Sequence, residues 1–205
     1  MKNLLAILFL IPLLSFGQEL ETNGNEGGTF SLGFRTTLST FNSSHDESNG
    51  LGAGAQFRLQ FSDRVNSDWF FDYIRSDIGN FANRVDYHIG WSVLYYPTKE
   101  KEVKIRPYIL AGHCFDYTLI TANNDASNFD ERWSSAVQGG LGTHFNLSSR
   151  MDLSLTAQYM IHLGNEAHVH QHEDGEIEFE SEGGTTAEGH LLFNVSLNYK
   201  IGKLW

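Results

Sequence analysis

The sequence predicts an all-β protein, an eight-stranded antiparallel up-and-down transmembrane β-barrel. Three observations predict it. Apolar and polar residues alternate with a period of two over most of the chain beyond residue 29. The connections between alternating segments are short at one end and generally longer at the other. Aromatic residues, 13% of the chain, gather near segment ends, where the edges of an apolar band would fall.

The first residues stand apart from this pattern. Lys2 gives a positive start, Leu4 to Leu14 an apolar core, and Ser15-Phe16-Gly17 small residues at −3 and −1, the layout of a secretory signal peptide cut before Gln18. The apolar run is too short to cross ~30 Å of hydrocarbon as a helix. The expected organisation is a signal peptide over 1–17, a flexible polar segment over 18–28 and the barrel over 29–205. Cys114 is the single cysteine, so no internal disulfide can staple this exported domain. A net charge of −11, from 14 basic and 25 acidic residues, argues against nucleic acid and against attraction to anionic lipid.

The first segment, about Thr29 to Phe41, sets Phe30, Leu32, Phe34 and Leu38 against Ser31, Gly33, Arg35 and Thr37. The second alternates Leu51, Ala53, Ala55, Phe57, Leu59 and Phe61 with Gly52, Gly54, Gln56, Arg58 and Gln60. The third, about Asp68 to Asp77, is less regular, because Phe70 and Ile74 fall on its polar face. The fourth opposes Val85, Tyr87, Ile89, Trp91, Val93 and Tyr95 to Asp86, His88, Gly90 and Ser92. The fifth, about Val103 to Ile120, contains Pro107, which removes one ladder hydrogen bond, and puts Cys114 on the polar face. In the sixth, Val137, Leu141, Phe145 and Leu147 face away from Gln138, His144 and Asn146. The seventh is the clearest: Met151, Leu153, Leu155, Ala157, Tyr159, Ile161 and Leu163 against Asp152, Ser154, Thr156, Gln158, Met160 and His162. The eighth alternates Leu191, Phe193, Val195, Leu197, Tyr199 and Ile201 with Asn194, Ser196, Asn198 and Lys200. A helix would scatter each of these apolar sets around its circumference.

Short connections are expected around Asp63 to Asn66, Pro97 to Glu102 and Ser148 to Arg150. The opposite end carries Asn42 to Asn49, a short turn near Gly79, Thr121 to Arg132 and Gly164 to about Glu188. Phe61, Trp69, Tyr95, Phe145 and Trp205 fall towards the first end, and Tyr87, Tyr117 and Trp133 towards the second. Within the last connection, Glu176 to Glu180 alternates again and predicts a strand extension above the membrane.

On these residues the chain resembles the small outer-membrane β-barrel superfamily of Gram-negative bacteria, the OmpA/OmpX/OmpW-like porin family proteins. The resemblance spans roughly residues 29–205, and its most specific part is the last strand, with Leu197, Tyr199, Ile201 and Trp205 on one face and Lys203 interrupting it. It implies a cell-envelope protein in contact with outer-membrane lipids and monomeric. It further implies that Tyr199, Ile201 and Trp205 act as an assembly signal for the barrel assembly machinery.

A soluble lipocalin-like carrier would invert the faces, lining a cavity with the apolar set. The polar sets here are rich in Gly, Ser, Thr, Asn and Gln and poor in Lys and Glu, which suits a lumen. That lumen receives Arg35, Arg58, Asp72, Asp86, His88, Arg106, Gln138, His144, Gln158 and Asn194, and Arg with Asp predicts a paired plug. The other reading of these residues is a narrow pore or transporter for small solutes. In the longest loop His168, His170 and His172, at a spacing of two, are a candidate Zn²⁺ or Cu²⁺ site. Against it stands the plain reading of a solvated acidic loop. No other cofactor is expected. Some barrels of this kind modify lipid A, but no His-x-Ser occurs, and His45, Ser76 and Asp77 only loosely imitate an acyltransferase set. The expectation is a non-enzymatic barrel working through its extracellular loops in surface binding or envelope integrity.

Overall fold

The computed structural model describes residues 27–41, 49–98, 103–171, 177–186 and 189–205. The expected signal peptide and most of the 18–28 segment lie outside these residues, as does His45. Among the described residues nine strands follow in order: β1 (Thr29–Phe41), β2 (Asn49–Ser62), β3 (Val65–Ile78), β4 (Ala82–Tyr95), β5 (Ile105–Ala122), β6 (Phe129–Asn146), β7 (Met151–Gln171), β8 (Ile177–Thr186) and β9 (Gly189–Lys203). Every pairing between neighbours is antiparallel, and β9 pairs with both β7 and β1, closing a wall of eight strands. The ninth strand, β8, pairs only with the far half of β7 and lies outside the wall.

The register proves the closure. Stepping from Ser31 through its successive partners Arg58, Asp68, Ser92, Gly112, Gln138, Met160 and His190 returns to β1 at Phe41, a stagger of ten residues. A fixed stagger obliges the strands to tilt, and at eight strands the interior is just wide enough for side chains to fill.

The alternation resolves in the direction a membrane requires. Leu32, Phe34, Leu51, Ile89, Phe115, Leu141, Leu155, Phe193, Val195 and Leu197 are exposed on the outer wall, while Arg35, Arg58, Asp72, Asp86 and Asp116 are buried within it. Phe34, beside the small Ala55, is 82% exposed. An exterior of this kind is stable only in hydrocarbon, since in water it would be one continuous apolar patch. Tyr73, Tyr87, Tyr117 and Trp133 occupy one register level on β3 to β6, with successive ring centroids 5.2, 6.0 and 4.9 Å apart. They form a continuous outer girdle on that side.

Several boundaries differ from expectation. β3 begins at Val65 rather than near Asp68, and β6 begins at Phe129, inside the connection expected over Thr121 to Arg132. β7 runs on to Gln171 instead of stopping at Leu163. The extra length at this end is therefore largely strand, not loop. Gly79 and Asn80 both have positive φ (56° and 63°), giving the two-residue primed turn that suits strand twist. Phe81 N–H closes it on the Ile78 carbonyl at 3.0 Å. Pro107 stays within β5, on the exposed face close to its start. Lys203 does not interrupt the lipid face: a bulge between Lys200 and Gly202 sets it opposite Thr29, whose side chain is buried inward.

Candidate functional site

The interior is built in layers, because each strand sends every second residue inward and the stagger brings distant positions to one level. In the lowest layer Arg58 is the hub. Its Nε and Nη2 donate to the two oxygens of Asp68 (2.7 and 3.3 Å), and Nη1 donates to Asp152 Oδ1 at 3.0 Å. Asp152 also accepts from Asn198 Nδ2 at 3.0 Å and from Ser154 Oγ at 3.1 Å. A forked guanidinium between two carboxylates is among the stronger polar contacts available in a closed interior. His144 shares a hydrogen bond with Tyr96 OH at 2.8 Å, and Tyr96 also receives one from Asn66 Nδ2. Arg106 stacks over the Tyr96 ring at 4.0 Å and donates to the Asp63 carbonyl. This layer ties β2, β3, β6, β7 and β9 together, and Arg106 of β5 ties it to the turn below.

The middle layer mixes polar and apolar groups. Arg35 Nε lies 3.0 Å from Asp72, and Nη2 donates to Asn194 Oδ1 at 2.7 Å. Gln158 donates to Gln138 at 2.9 Å, and Gln138 to Ser92 at 2.7 Å. Phe70, Ile74, Cys114, Ala136, Met160 and Leu192 pack together beside them. The two apolar residues that spoil the third segment's alternation thus belong to an interior cluster. Two cavities in the lower and middle layers have volumes of only about 20 Å³ each, room for about one water.

The upper layer collects Asp86, His88, Asp116, His162 and His190, all buried. His88 Nε2 is 3.2 Å from Asp116 Oδ1, and His162 Nδ1 is 3.2 Å from Asp116 Oδ2. The Nε2 atoms of His162 and His190 face each other at 3.2 Å. Arg84 Nε donates to both oxygens of Asp86, at 3.0 and 3.1 Å, and Thr118 Oγ1 donates to Asp86 Oδ1 at 2.7 Å.

Above this layer the mouth is covered. Val169 of β7 and Ile177 of β8 are buried against Ile78, Ala82, Ile120 and Ala122, inward-facing residues at the upper ends of β3, β4 and β5. Phe81 and Phe179 pack on the same cluster, and Asn128 Nδ2 donates to the Ile177 carbonyl at 3.1 Å. β7 belongs to the wall far from β3 and β4, so its hairpin with β8 must cross the opening to reach them. The bend falls at Gly164, with φ +152°, where a register shift marks the passage from wall to hairpin.

All ten expected luminal residues lie inside, but not as a single network. Arg35 meets Asp72, Arg58 meets Asp68 and Asp152, and Asp86 meets Arg84. Asp68, Asp152, Arg84, Asp116, His162 and His190 are the partners the sequence reading left unassigned. Their parity along the strand was the available signal; their height was not. Ser76 is buried on the inner wall and Asp77 is exposed, so these two do not share a face. His168 and His170 lie in β7 opposite Glu180 and Glu178, but their side chains, and the whole of His172, lie outside the described residues. Tyr199 and Ile201 sit on the outer face of β9, and Trp205 follows the end of that strand, exposed.

Outer apolar belt, polar packed interior, eight closed antiparallel strands: these define a transmembrane β-barrel with the fold of the small outer-membrane barrels. The solved structures agree at the level of fold. Neisserial surface protein A is similar with a TM-score of 0.59 and 14% identity, covering 84% of this chain and 97% of that one. The outer membrane protein OprG from Pseudomonas aeruginosa gives 0.54 and 15%, covering 86% and 97%. A major outer membrane protein from Thermus thermophilus gives 0.53 and 11%, covering 84% and 99%. No protein-family model matches the sequence, and no curated protein matches it by sequence.

Proposed function

We propose that this chain is an exported, monomeric and non-enzymatic outer-membrane barrel whose interior is a structural plug. Its extracellular end, the β7–β8 hairpin with the neighbouring loops, does the work, in surface binding or envelope integrity. The observation that carries this reading is the closed path: ion-pair layers fill the wall and an apolar lid covers the mouth. A solute moving through would have to displace Arg58 from two carboxylates and strip the lid from its apolar seat. Insertion by the barrel assembly machinery through Tyr199, Ile201 and Trp205 fits the outer apolar face of β9. The name of one structural neighbour, a surface protein, suits an outward-acting role.

Planar-bilayer recording tests the reading. Purified barrel inserted into the bilayer is expected to give no unitary conductance steps at any holding voltage. Reproducible steps would overturn it in favour of a narrow pore.

A further inference from the structure

We propose that the upper layer of the lumen is a binding site for one divalent transition-metal ion of the Zn²⁺ type, held by His88, Asp116 and Asp86. Each of these three residues offers a ligand atom within 4.8 Å of the others, and all three are fully buried. Neither ring nitrogen of His88 makes a hydrogen bond, and Asp116 Oδ1 makes none. His88 Nε2 and Asp116 Oδ1 nonetheless approach to 3.2 Å. The two atoms thus sit at ion-pair distance without hydrogen-bond geometry, a spacing that two ligands of one ion also have. Two ligands on one tetrahedral Zn²⁺, with bonds of about 2.0–2.1 Å, stand roughly 3.3 Å apart.

The surroundings extend the donor set. His162 Nδ1 is 3.2 Å from the other oxygen of Asp116, which makes His162 the next donor in reach, and His190 stands behind it at 3.2 Å. Imidazole with carboxylate selects a borderline cation such as Zn²⁺ over Mg²⁺ or Ca²⁺, which take oxygen ligands only. Thr118 Oγ1, 2.7 Å from Asp86 Oδ1, orients that ligand from outside, as outer partners of metal ligands do. Arg84 donates to both Asp86 oxygens, so Asp86 is shared between guanidinium and ion and is the weakest of the three ligands. Burying carboxylates is costly unless their charge is met; Arg84 meets Asp86, and an ion between His88 and Asp116 would add to that at the unbonded Asp116 Oδ1.

The site lies beneath the lid and is independent of whether the barrel conducts. Because it is closed, the ion is loaded by refolding the full barrel into detergent with ZnCl₂, followed by dialysis and elemental analysis. The decisive sample is the variant His168→Ala/His170→Ala/His172→Ala, which removes the histidine tract beyond the wall and keeps every luminal residue named above. It is expected to retain one zinc per folded chain, and Co²⁺ in its place is expected to show the visible absorption of a low-symmetry nitrogen and oxygen site. Adding His88→Asn is expected to abolish retention, with folding checked by gel mobility before and after boiling. Thr118→Val is expected to weaken affinity by about 10–100-fold. Zinc absent from the triple variant overturns the proposal. So does zinc still held at one per chain after His88→Asn in a barrel that has folded.

Discussion

Arg58 shows what a single residue contributes here. It spans from β2 to Asp68 on the adjoining β3 and to Asp152 on β7, a strand that comes within reach of β2 only because the wall has closed. Removing it leaves two buried carboxylates facing each other with no cation between them. Arg58→Met is therefore expected to lower stability by about 3–5 kcal/mol, read as a shift in a urea titration of the barrel in lipid vesicles. Restoring neutrality with Asp68→Asn and Asp152→Asn in the same chain is expected to recover much of the loss, since an isolated buried charge costs more than a missing pair. The inward position of Arg58 was legible in the sequence, because Gln56, Arg58 and Gln60 alternate with Ala55, Phe57 and Leu59. Its partners were not. Alternation gives the side of the wall a residue faces, whereas the partner depends on inter-strand register, and register is set by turns and stagger rather than by any one segment.

At the scale of elements, the hairpin of β7 and β8 is where the alternating pattern carries past the wall. The seventh segment reads as ending at Leu163 because Gly164, Asn165 and Glu166 break the apolar run. In the structure that break is a bend, not an end: the strand turns at Gly164 and continues over the mouth as far as Gln171. The alternation from Glu176 to Glu180 was a correct sign of an extension, and what it could not convey was that Ile177 points down onto Ile78 and Ile120. A side chain at Gly164 must adopt a φ that L-residues rarely take. Gly164→Val is expected to unseat the hairpin, so that limited proteolysis cuts between residues 165 and 188 faster than in the native chain. The same barrel is expected to keep its native mobility on an unboiled gel, because the strand ladder below Leu163 is untouched. The Gly79-Asn80 turn is the opposite case, a connection whose conformation follows from its two residues alone.

For the whole molecule, one question decides everything else: whether the apolar face meets lipid or encloses a cavity. The composition of the polar face pointed to lipid outside, and the closed wall carries that choice through, with Phe34, Leu141 and Trp133 among the most exposed side chains. The same geometry gives a test that separates the two surroundings. Phe34 stands near the middle of β1, flanked by Ala55 and Leu197 on the adjoining strands, so an arginine there has no polar neighbour to reach across the wall. In a bilayer, Phe34→Arg places a cation close to the middle of the hydrocarbon and is expected to cost about 2–4 kcal/mol. Were the exterior bathed in water, the exchange would relieve an exposed aromatic ring and cost nothing. Reversible unfolding in vesicles measures the difference directly, with Leu32→Arg, two residues nearer the Thr29 end of β1 and also on the outer face, as the companion variant. A lipid-facing wall predicts that the penalty shrinks as the charge moves towards the headgroups, whereas a water-facing wall predicts no dependence on position.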